Sequence, residues 1–202
     1  MGKYLKEFET HAEYEAYING SEAILPNVSI CDDQINHVHY NPYKPLDVDR
    51  LTVTYDVKST SEDTALFDTD YGSGITSVEI DGVELQTVQN TYRFDTTGEH
   101  VVKYTFSNPT EIDENSFKPD SVSLYITKYE VPSTITYIGY YSFNSSEDKF
   151  DIVVYSATPP SISYAICDID KVDKIYVPAE SVDEYKNTDK WSTYSDKIVA
   201  MP

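Results

Sequence analysis

Apolar residues recur at a regular spacing in the second half of the chain. Three times an isoleucine is followed five positions later by another apolar residue, and the three isoleucines are separated by 26 and then 24 residues. A period of about 20 to 29 residues is typical of units that stack into a solenoid. We therefore predict a short solenoid of three units, aligned on the pairs Ile112 and Phe117, Ile138 and Phe143, and Ile162 and Cys167.

Each unit also carries a later run rich in β-branched and aromatic residues, at positions 124–126, 152–154 and 175–177. Such runs favour strands that pair from one unit to the next. Three units are about the fewest that build a stable solenoid core, so its ends need closure. Ser181 followed three positions later by Glu184 predicts a capping box and a helix. We assign residues 107–202 to the repeat domain and residues 178–202 to a cap, in which Tyr185, Trp191 and Tyr194 fold back onto the last unit.

The middle of the chain alternates apolar and polar residues with a period of two. Leu51, Val53, Tyr55 and Val57 alternate with polar residues, which is typical of a half-buried strand. Further short strands follow at regular spacing, and Asp81-Gly82 predicts a type I′ hairpin turn. Because short strands and turns recur throughout, residues 46–106 are predicted to form a small β-sandwich of immunoglobulin-like architecture, without the Cys, Trp and Cys core of that family.

The first 45 residues combine one predicted helix with one predicted hairpin. Thr10 and Glu13 mark a helix start that Asn19-Gly20 ends, and two apolar runs flank the polar stretch 32–36. A helix and a hairpin bury too little surface to be stable alone, so residues 1–45 are predicted to be a docking module. Its proposed contact residues are Phe8, Tyr14, Tyr17, Val28, Ile30, Val38 and Tyr40.

The charge of the chain limits the partners that it can have. The 202 residues carry a formal net charge of −20, with 15 basic and 35 acidic side chains. Binding to nucleic acid or to an anionic membrane requires clustered Lys and Arg, and neither partner is expected. No apolar run is long enough to span a bilayer.

Candidate chemistry is sparse. His37 and His39 lie two positions apart but lack a recognisable third metal ligand, and the stretch 68–79 fails the pattern of a calcium loop because Gly72 and Ser73 replace required residues. His11 and His100 are solitary in the sequence, and no nucleophile motif is present. Acidic clusters such as Asp168, Asp170 and Asp173 are expected by chance in so acidic a chain. We predict no enzyme activity, no metal and no cofactor.

Tyrosine is unusually frequent, with 19 copies. Exposed tyrosines among Ser, Thr and Asn suit sugar stacking or adaptable protein contacts, and they equally suit burial between identical subunits. The sequence leaves these alternatives open. The proposed ligand or interface residues in the repeat region are Tyr125, Tyr137, Tyr140, Tyr141, Tyr155 and Tyr164.

The repeat region resembles a known family. Residues 130–143, EVPSTITYIGYYSF, are similar to the BspA-type leucine-rich repeat, and residues 157–160 with 175–198 are similar to the terminal cap of such repeats in proteins of gut Bacteroidales and their phages. The resemblance covers residues 107–202. It implies a leucine-rich-repeat-like solenoid, although Asp113 and Ser163 stand where the pattern has Gly139, so the strand ladder is expected to be irregular.

Residues 8–18, 25–29 and 38–42 resemble a module at the front of structural and fibre proteins of crAss-like phages. This resemblance implies a virion structural protein, a head fibre or capsid-decorating appendage that binds capsid or other virion proteins and is a homotrimer, as fibres usually are. The start of the chain lacks an apolar signal-peptide core, which agrees with synthesis in the host cytoplasm and assembly into a virion. A tail-associated protein, or a prophage or Bacteroidales protein that binds a cellular protein or glycan, is the alternative.

Overall fold

The structure, a computed structural model, describes residues 6–8, 28–30, 36–40, 50–68, 70, 74–117, 123–144 and 149–202. The chain divides into two compact units, residues 1–47 and residues 48–202. The fold is mainly β, as predicted. None of the described helices combines the length and the apolar character needed to cross a lipid bilayer.

The first unit contains a three-stranded antiparallel sheet. Its strands are β1 (Lys6–Phe8), β2 (Val28–Ile30) and β3 (Asn36–Tyr40), in the order β1-β3-β2. Strands β2 and β3 pair antiparallel, with Val28 opposite Tyr40, which confirms the predicted hairpin. The predicted helix between Thr10 and Gly20 lies outside the described residues.

Most strands of the second unit join one eight-stranded mixed sheet, in the order β16-β15-β13-β11-β4-β9-β6-β7. Strands β11, β13, β15 and β16 run parallel, whereas β4, β9, β6 and β7 pair antiparallel. The strands of this unit are, in chain order, β4 (Leu51–Val57), β5 (Thr64–Ala65), β6 (Ile75–Ile80), β7 (Val83–Glu84), β8 (Thr91–Tyr92), β9 (Gly98–Phe106), β10 (Glu111–Ile112), β11 (Leu124–Val131), β12 (Tyr137–Ile138), β13 (Phe150–Val154), β14 (Ser161–Ile162), β15 (Val172–Val177) and β16 (Ile198–Ala200).

The repeating units stack in the predicted register. Strands β10, β12 and β14 form a parallel sheet in which Ile112 pairs with Ile138 and Ile138 with Ile162. Phe117 and Phe143, five positions later, form a parallel bridge. All five side chains are at most 4% exposed, so the recurrent apolar pair is the buried edge of the stack.

In the first repeat, the apolar run at residues 124–126 is paired differently from the prediction. Tyr129 and Val131, rather than residues 124–126, align with Ile152 and Val154. Leu124 and Ile126 instead pair antiparallel with Val57 and Tyr55 of β4. Strand β4 pairs with β11 from Leu124 to Glu130, with a register shift between Ile126 and Lys128, whereas β13 pairs only with Lys128 to Val131 on the other edge. The other two runs align as predicted, with Ile152 opposite Ile175.

Strand β11 also joins the two segments that the sequence analysis separates at residue 106. It pairs with β4 on one side and β13 on the other, so the segments 46–106 and 107–202 share one sheet. The apolar residues of the predicted alternation along β4, Leu51, Val53, Tyr55 and Val57, are buried, although Thr54 between them is buried as well. Aromatic contacts continue across the join, with ring centroids of Tyr104 and Phe117 4.9 Å apart. The second unit therefore has one continuous core.

Strands β5 and β8 form a separate two-stranded antiparallel sheet. The carbonyl of Leu66, just after β5, accepts a hydrogen bond of 2.9 Å from the buried Tyr55 hydroxyl. The hydroxyl oxygen of Tyr104 lies 2.7 Å from the hydroxyl oxygen of Tyr55. The predicted turn at Asp81-Gly82 is confirmed, because both residues have positive φ values, 49° and 84°, between paired strands β6 and β7.

The C-terminal segment closes the stack with helix α1 (Val182–Asn187), a 3-10 turn (Trp191–Tyr194) and strand β16. Tyr185, Trp191 and Tyr194 are at most 1% exposed, as predicted. The predicted capping box is wrong, because the Ser181 side chain makes no capping hydrogen bond. A preceding 3-10 turn, Ala179–Ser181, already holds Ser181 in a helical conformation, whereas a capping residue requires extended backbone.

Candidate interaction surface

Three of the predicted tyrosines lie together on the outside of the repeat stack. The ring centroids of Tyr140 and Tyr141 are 4.6 Å apart, and those of Tyr140 and Tyr164 are 6.3 Å apart. Tyr140 is 41% exposed and Tyr164 is 76% exposed, while Tyr141 is half-buried. We refer to Tyr140, Tyr141 and Tyr164 as the tyrosine patch. Exposed aromatic rings in contact are an uncommon surface feature and are typical of binding sites.

The register of the stack explains why these rings meet. Tyr140 and Tyr164 each follow the paired isoleucine of their unit by two positions, so stacking places them in neighbouring rows. Backbone hydrogen bonds continue beyond the strands, from Tyr141 N to Ala165 O at 2.8 Å. In the first unit the same position is Glu114, and Asn115 N donates to Tyr140 O at 2.9 Å. Rows of equivalent residues therefore lie on a rigid, hydrogen-bonded turn.

The turns of the first two units share an unusual backbone conformation. Asn115 and Tyr141, which are equivalent in the stack, have φ values of 52° and 49°. Asn adopts this left-handed region readily, whereas a bulky residue does so at an energetic cost. Tyr141 is thus held in place by the surrounding stack, and its ring is fixed beside Tyr140.

Gly139 permits the close approach of the first two units. A Cβ atom at this position would lie 2.8 Å from the Asp113 carbonyl carbon and from Glu114 Cα, and it would also clash with the Glu114 amide nitrogen. All three are backbone atoms, which cannot rotate away as a side chain can. The space between the first two repeats therefore admits only glycine at position 139.

We expect Gly139→Ala to lower the free energy of unfolding of residues 48–202 by about 3 kcal/mol, because the turn carrying Glu114 must move to admit a methyl group. Urea unfolding followed by circular dichroism measures the change. Gly74→Ala is the matched control, since its nearest contact would be an ordinary 3.6 Å from the Ser107 hydroxyl, and it should alter stability by less than about 1 kcal/mol. Equal stability of the two variants would contradict the close packing of the units.

The electrostatic surroundings of the patch are negative. Asp113 and Glu114 are exposed in the turn of the preceding unit, and Asp168 is exposed beyond the third turn. The pKa of Tyr141 is raised by desolvation, and the neighbouring Tyr140 and the Asp168 carboxylate raise it further. Loss of a proton from Tyr141 is thus disfavoured, and the nearby carboxylates favour the approach of a cation.

The other three tyrosines proposed as contact residues do not join the patch. Tyr137 is half-buried on β12. Tyr125 lies on β11, where the Lys58 ammonium sits 5.3 Å from its ring centroid. The Tyr155 hydroxyl donates to Glu130 Oε1 at 3.1 Å. Tyr125 belongs to the large sheet and Tyr155 directly follows its strand β13, so the patch is confined to the turns that follow β12 and β14.

The proposed docking residues belong to the first unit. Phe8 lies on β1, Val28 and Ile30 on β2, and Val38 and Tyr40 on β3. The pairing of Ile30 with Val38 brings two of them together in one register row. Tyr14 and Tyr17 lie outside the described residues. Their role in docking stays a prediction.

The cap supplies donors to the open end of the last unit. Trp191 Nε1 donates to Pro160 O at 2.7 Å, Lys190 Nζ donates to Ile162 O at 2.9 Å, and the Tyr194 hydroxyl donates to Cys167 O at 2.9 Å. A further repeat would otherwise satisfy such carbonyls. The packing role of Trp191 and Tyr194 was predictable from their apolar surface, but that of Lys190, whose φ is 67°, carried no sequence signal.

His100, which is solitary in the sequence, has hydrogen-bond partners in the structure. Its Nδ1 donates to Asp81 Oδ2 at 2.6 Å, and its Nε2 lies 3.2 Å from Thr96 Oγ1. Asp81 Oδ1 also accepts from Val101 N at 2.9 Å. These contacts tie the turn before β9 to the β6–β7 hairpin. No signal in the sequence indicates the contact with Asp81, because it depends on which strands are neighbours in the sheet.

Two of the acidic residues considered for chemistry, Asp68 and Asp168, accept backbone hydrogen bonds. Asp168 accepts a hydrogen bond from Asp170 N at 3.0 Å and caps the 3-10 turn Ile169–Lys171. Asp68 Oδ1 accepts from Asp70 N at 2.8 Å, and part of that loop lies outside the described residues. Within the ranges that the structure covers, no three His, Cys, Asp or Glu side chains are placed to hold a metal ion.

Two comparisons with known proteins give no match. No model of a known protein family matches the chain, and a search of curated protein sequences finds no significant match.

Proposed function

We propose that this chain is a structural protein of a bacteriophage particle, a head fibre or capsid-decorating appendage. In this proposal residues 1–47 dock to capsid or other virion proteins, and residues 48–202 are displayed outward as a non-enzymatic contact surface. The proposal rests on one main observation: three in-register units form a stack that is closed at its C-terminal end and carries an exposed tyrosine patch on its turns. A closed stack suits rigid display, because its turns are fixed by backbone hydrogen bonds.

The finer fold assignment belongs to the same proposal. We take the parallel stack as a BspA-type leucine-rich-repeat-like solenoid. The antiparallel strands with the β5–β8 sheet are taken as an immunoglobulin-like arrangement that shares its larger sheet with the solenoid. The N-terminal resemblance to modules of crAss-like phage proteins supports the virion assignment, and the homotrimeric state follows by analogy with fibres.

Deletion of residues 1–47 is expected to abolish incorporation into particles while leaving a soluble folded protein. The physical reason is that residues 48–202 contain their own continuous core. Incorporation is measured by immunoblotting purified particles, and folding by circular dichroism. The matched control is full-length Tyr140→Ala, which keeps the first unit and should be incorporated normally. Incorporation of the truncated protein would show that docking does not depend on the first unit.

A further inference from the structure

The tyrosine patch has a geometry that suits a cationic side chain. Tyr140 and Tyr164 place their ring centroids 6.3 Å apart at the surface. A cation seated above the midpoint of the two rings lies within about 6 Å of both centroids, the range in which cation–π attraction acts. The ring centroid of Tyr141 lies 4.6 Å from that of Tyr140, which adds a third aromatic ring to the patch.

Carboxylates surround the patch on both sides along the stack. Glu114 occupies the position before Tyr140 in the row of equivalent turn residues, with Asp113 next to it. Asp168 follows the third turn and contributes to the negative surroundings of Tyr141. On the cap side, the ammonium group of Lys190 is hydrogen-bonded to Ile162 O. Charge complementarity therefore favours a positively charged ligand.

We infer that the tyrosine patch binds the Lys or Arg side chains of a basic segment in a partner protein, with the rings of Tyr140 and Tyr164 and the carboxylates of Glu114 and Asp168 as its contacts. This inference rests on the proposed display function and names the chemical class of its partner. A neutral glycan would also stack on the rings, but it would gain nothing from the surrounding negative charge. Anionic glycans and phosphates would be repelled.

Isothermal titration calorimetry with three probes tests this assignment on the full-length protein: a hexa-arginine peptide, a hexaglutamate peptide and a neutral hexasaccharide. Only the arginine peptide is expected to bind. Its affinity should fall as the salt concentration rises from ~50 to ~300 mM, because exposed charges are screened. Tyr140→Ala combined with Tyr164→Ala should weaken binding by about 4- to 25-fold, since each exposed cation–π contact contributes about 2- to 5-fold.

Two further variants separate ring and charge. Replacing both tyrosines by Phe keeps the π faces and should change affinity by less than about twofold. Glu114→Gln keeps the shape but removes a charge and should weaken binding. Tyr125→Ala is the matched control, because that ring lies on the large sheet beside Lys58, and it should bind as the unaltered protein does. Circular dichroism of every variant establishes that the fold is retained.

The inference is overturned if the arginine peptide fails to bind, if it binds equally well without the two tyrosines, or if the neutral hexasaccharide binds through them instead. These outcomes are independent of virion incorporation. Loss of peptide binding in a protein that still enters particles removes only this inference. Peptide binding by a protein that is absent from particles removes the virion assignment and leaves the patch as a site for basic segments.

Discussion

Raising the pH above about 10 is expected to unfold residues 48–202 cooperatively, because buried tyrosines ionise far more readily in the unfolded chain. Burial raises the pKa of each of five tyrosine hydroxyls well above the ordinary value of 10.0. The five are Tyr55, Tyr104, Tyr129, Tyr185 and Tyr194. A raised pKa in the folded state means that the stability contribution is present below the unfolded pKa and is lost as the pH rises above it.

The expected loss is large. Each group that stays protonated only in the folded state costs about 1.4 kcal/mol of unfolding free energy per pH unit, so five cost about 7 kcal/mol per unit. Because a domain is stable by about 5 to 15 kcal/mol, unfolding should occur near pH 11 to 12. The tyrosinate absorbance of the buried residues should appear together with loss of the circular dichroism signal. Ionisation of all tyrosines near pH 10 in a protein that keeps its fold would contradict the buried core.

Replacing Trp191 by Ala is expected to destabilise residues 48–202 by about 4 kcal/mol, the usual cost of removing a fully buried aromatic side chain. Trp191 is fully buried, and its ring centroid lies 5.1 Å from that of Tyr185. Its loss also leaves Pro160 O without the indole donor. Because loss of the indole loosens the cap that also carries the Lys190 and Tyr194 donors, carbonyls of the last repeat should become exposed and the variant should also self-associate through the open end of the stack.

Urea unfolding measures the stability change, and sedimentation velocity at several protein concentrations measures the association. Trp191→Phe serves as the control, since it keeps most of the packing and removes the donor, at an expected cost of about 1 to 2 kcal/mol. A change below about 1 kcal/mol for Trp191→Ala would mean that the cap does not close the core.

Local patterns were predictable where one physical cause dominates. The Asp81-Gly82 turn follows from the tolerance of both residues for positive φ. The register of Ile112, Ile138 and Ile162 follows from burial of one residue type at a regular period. The hairpin between β2 and β3 follows from two apolar runs around a polar turn.

Contacts that depend on the neighbours of a strand were not predictable. Both halves of β11 carry apolar residues, so the sequence could not decide that β13 pairs only with the half that contains Tyr129, while β4 pairs with both halves. The contact between His100 and Asp81 depends on the pairing of β6 with β9, in which Ile80 lies opposite Val102. Helix α1 begins after Ser181, but the predicted capping hydrogen bond is absent because the preceding 3-10 turn holds Ser181 in a helical backbone conformation.

The candidate surface was predictable in composition but not in extent. The abundance of tyrosine indicated a contact surface, and six residues were proposed. Stacking brings only Tyr140, Tyr141 and Tyr164 together, because they occupy the turns of adjacent units. The surrounding carboxylates could be placed only once the register of the turns was known.

Mass spectrometry of purified particles tests the central claim most directly. Particles produced by the genome that encodes this chain are purified by density gradient and compared with the soluble fraction of the same host lysate. The virion assignment predicts that peptides from both compact units are enriched in the particles, with the major capsid protein as the internal standard. Recovery of the protein only in the soluble fraction would contradict the assignment.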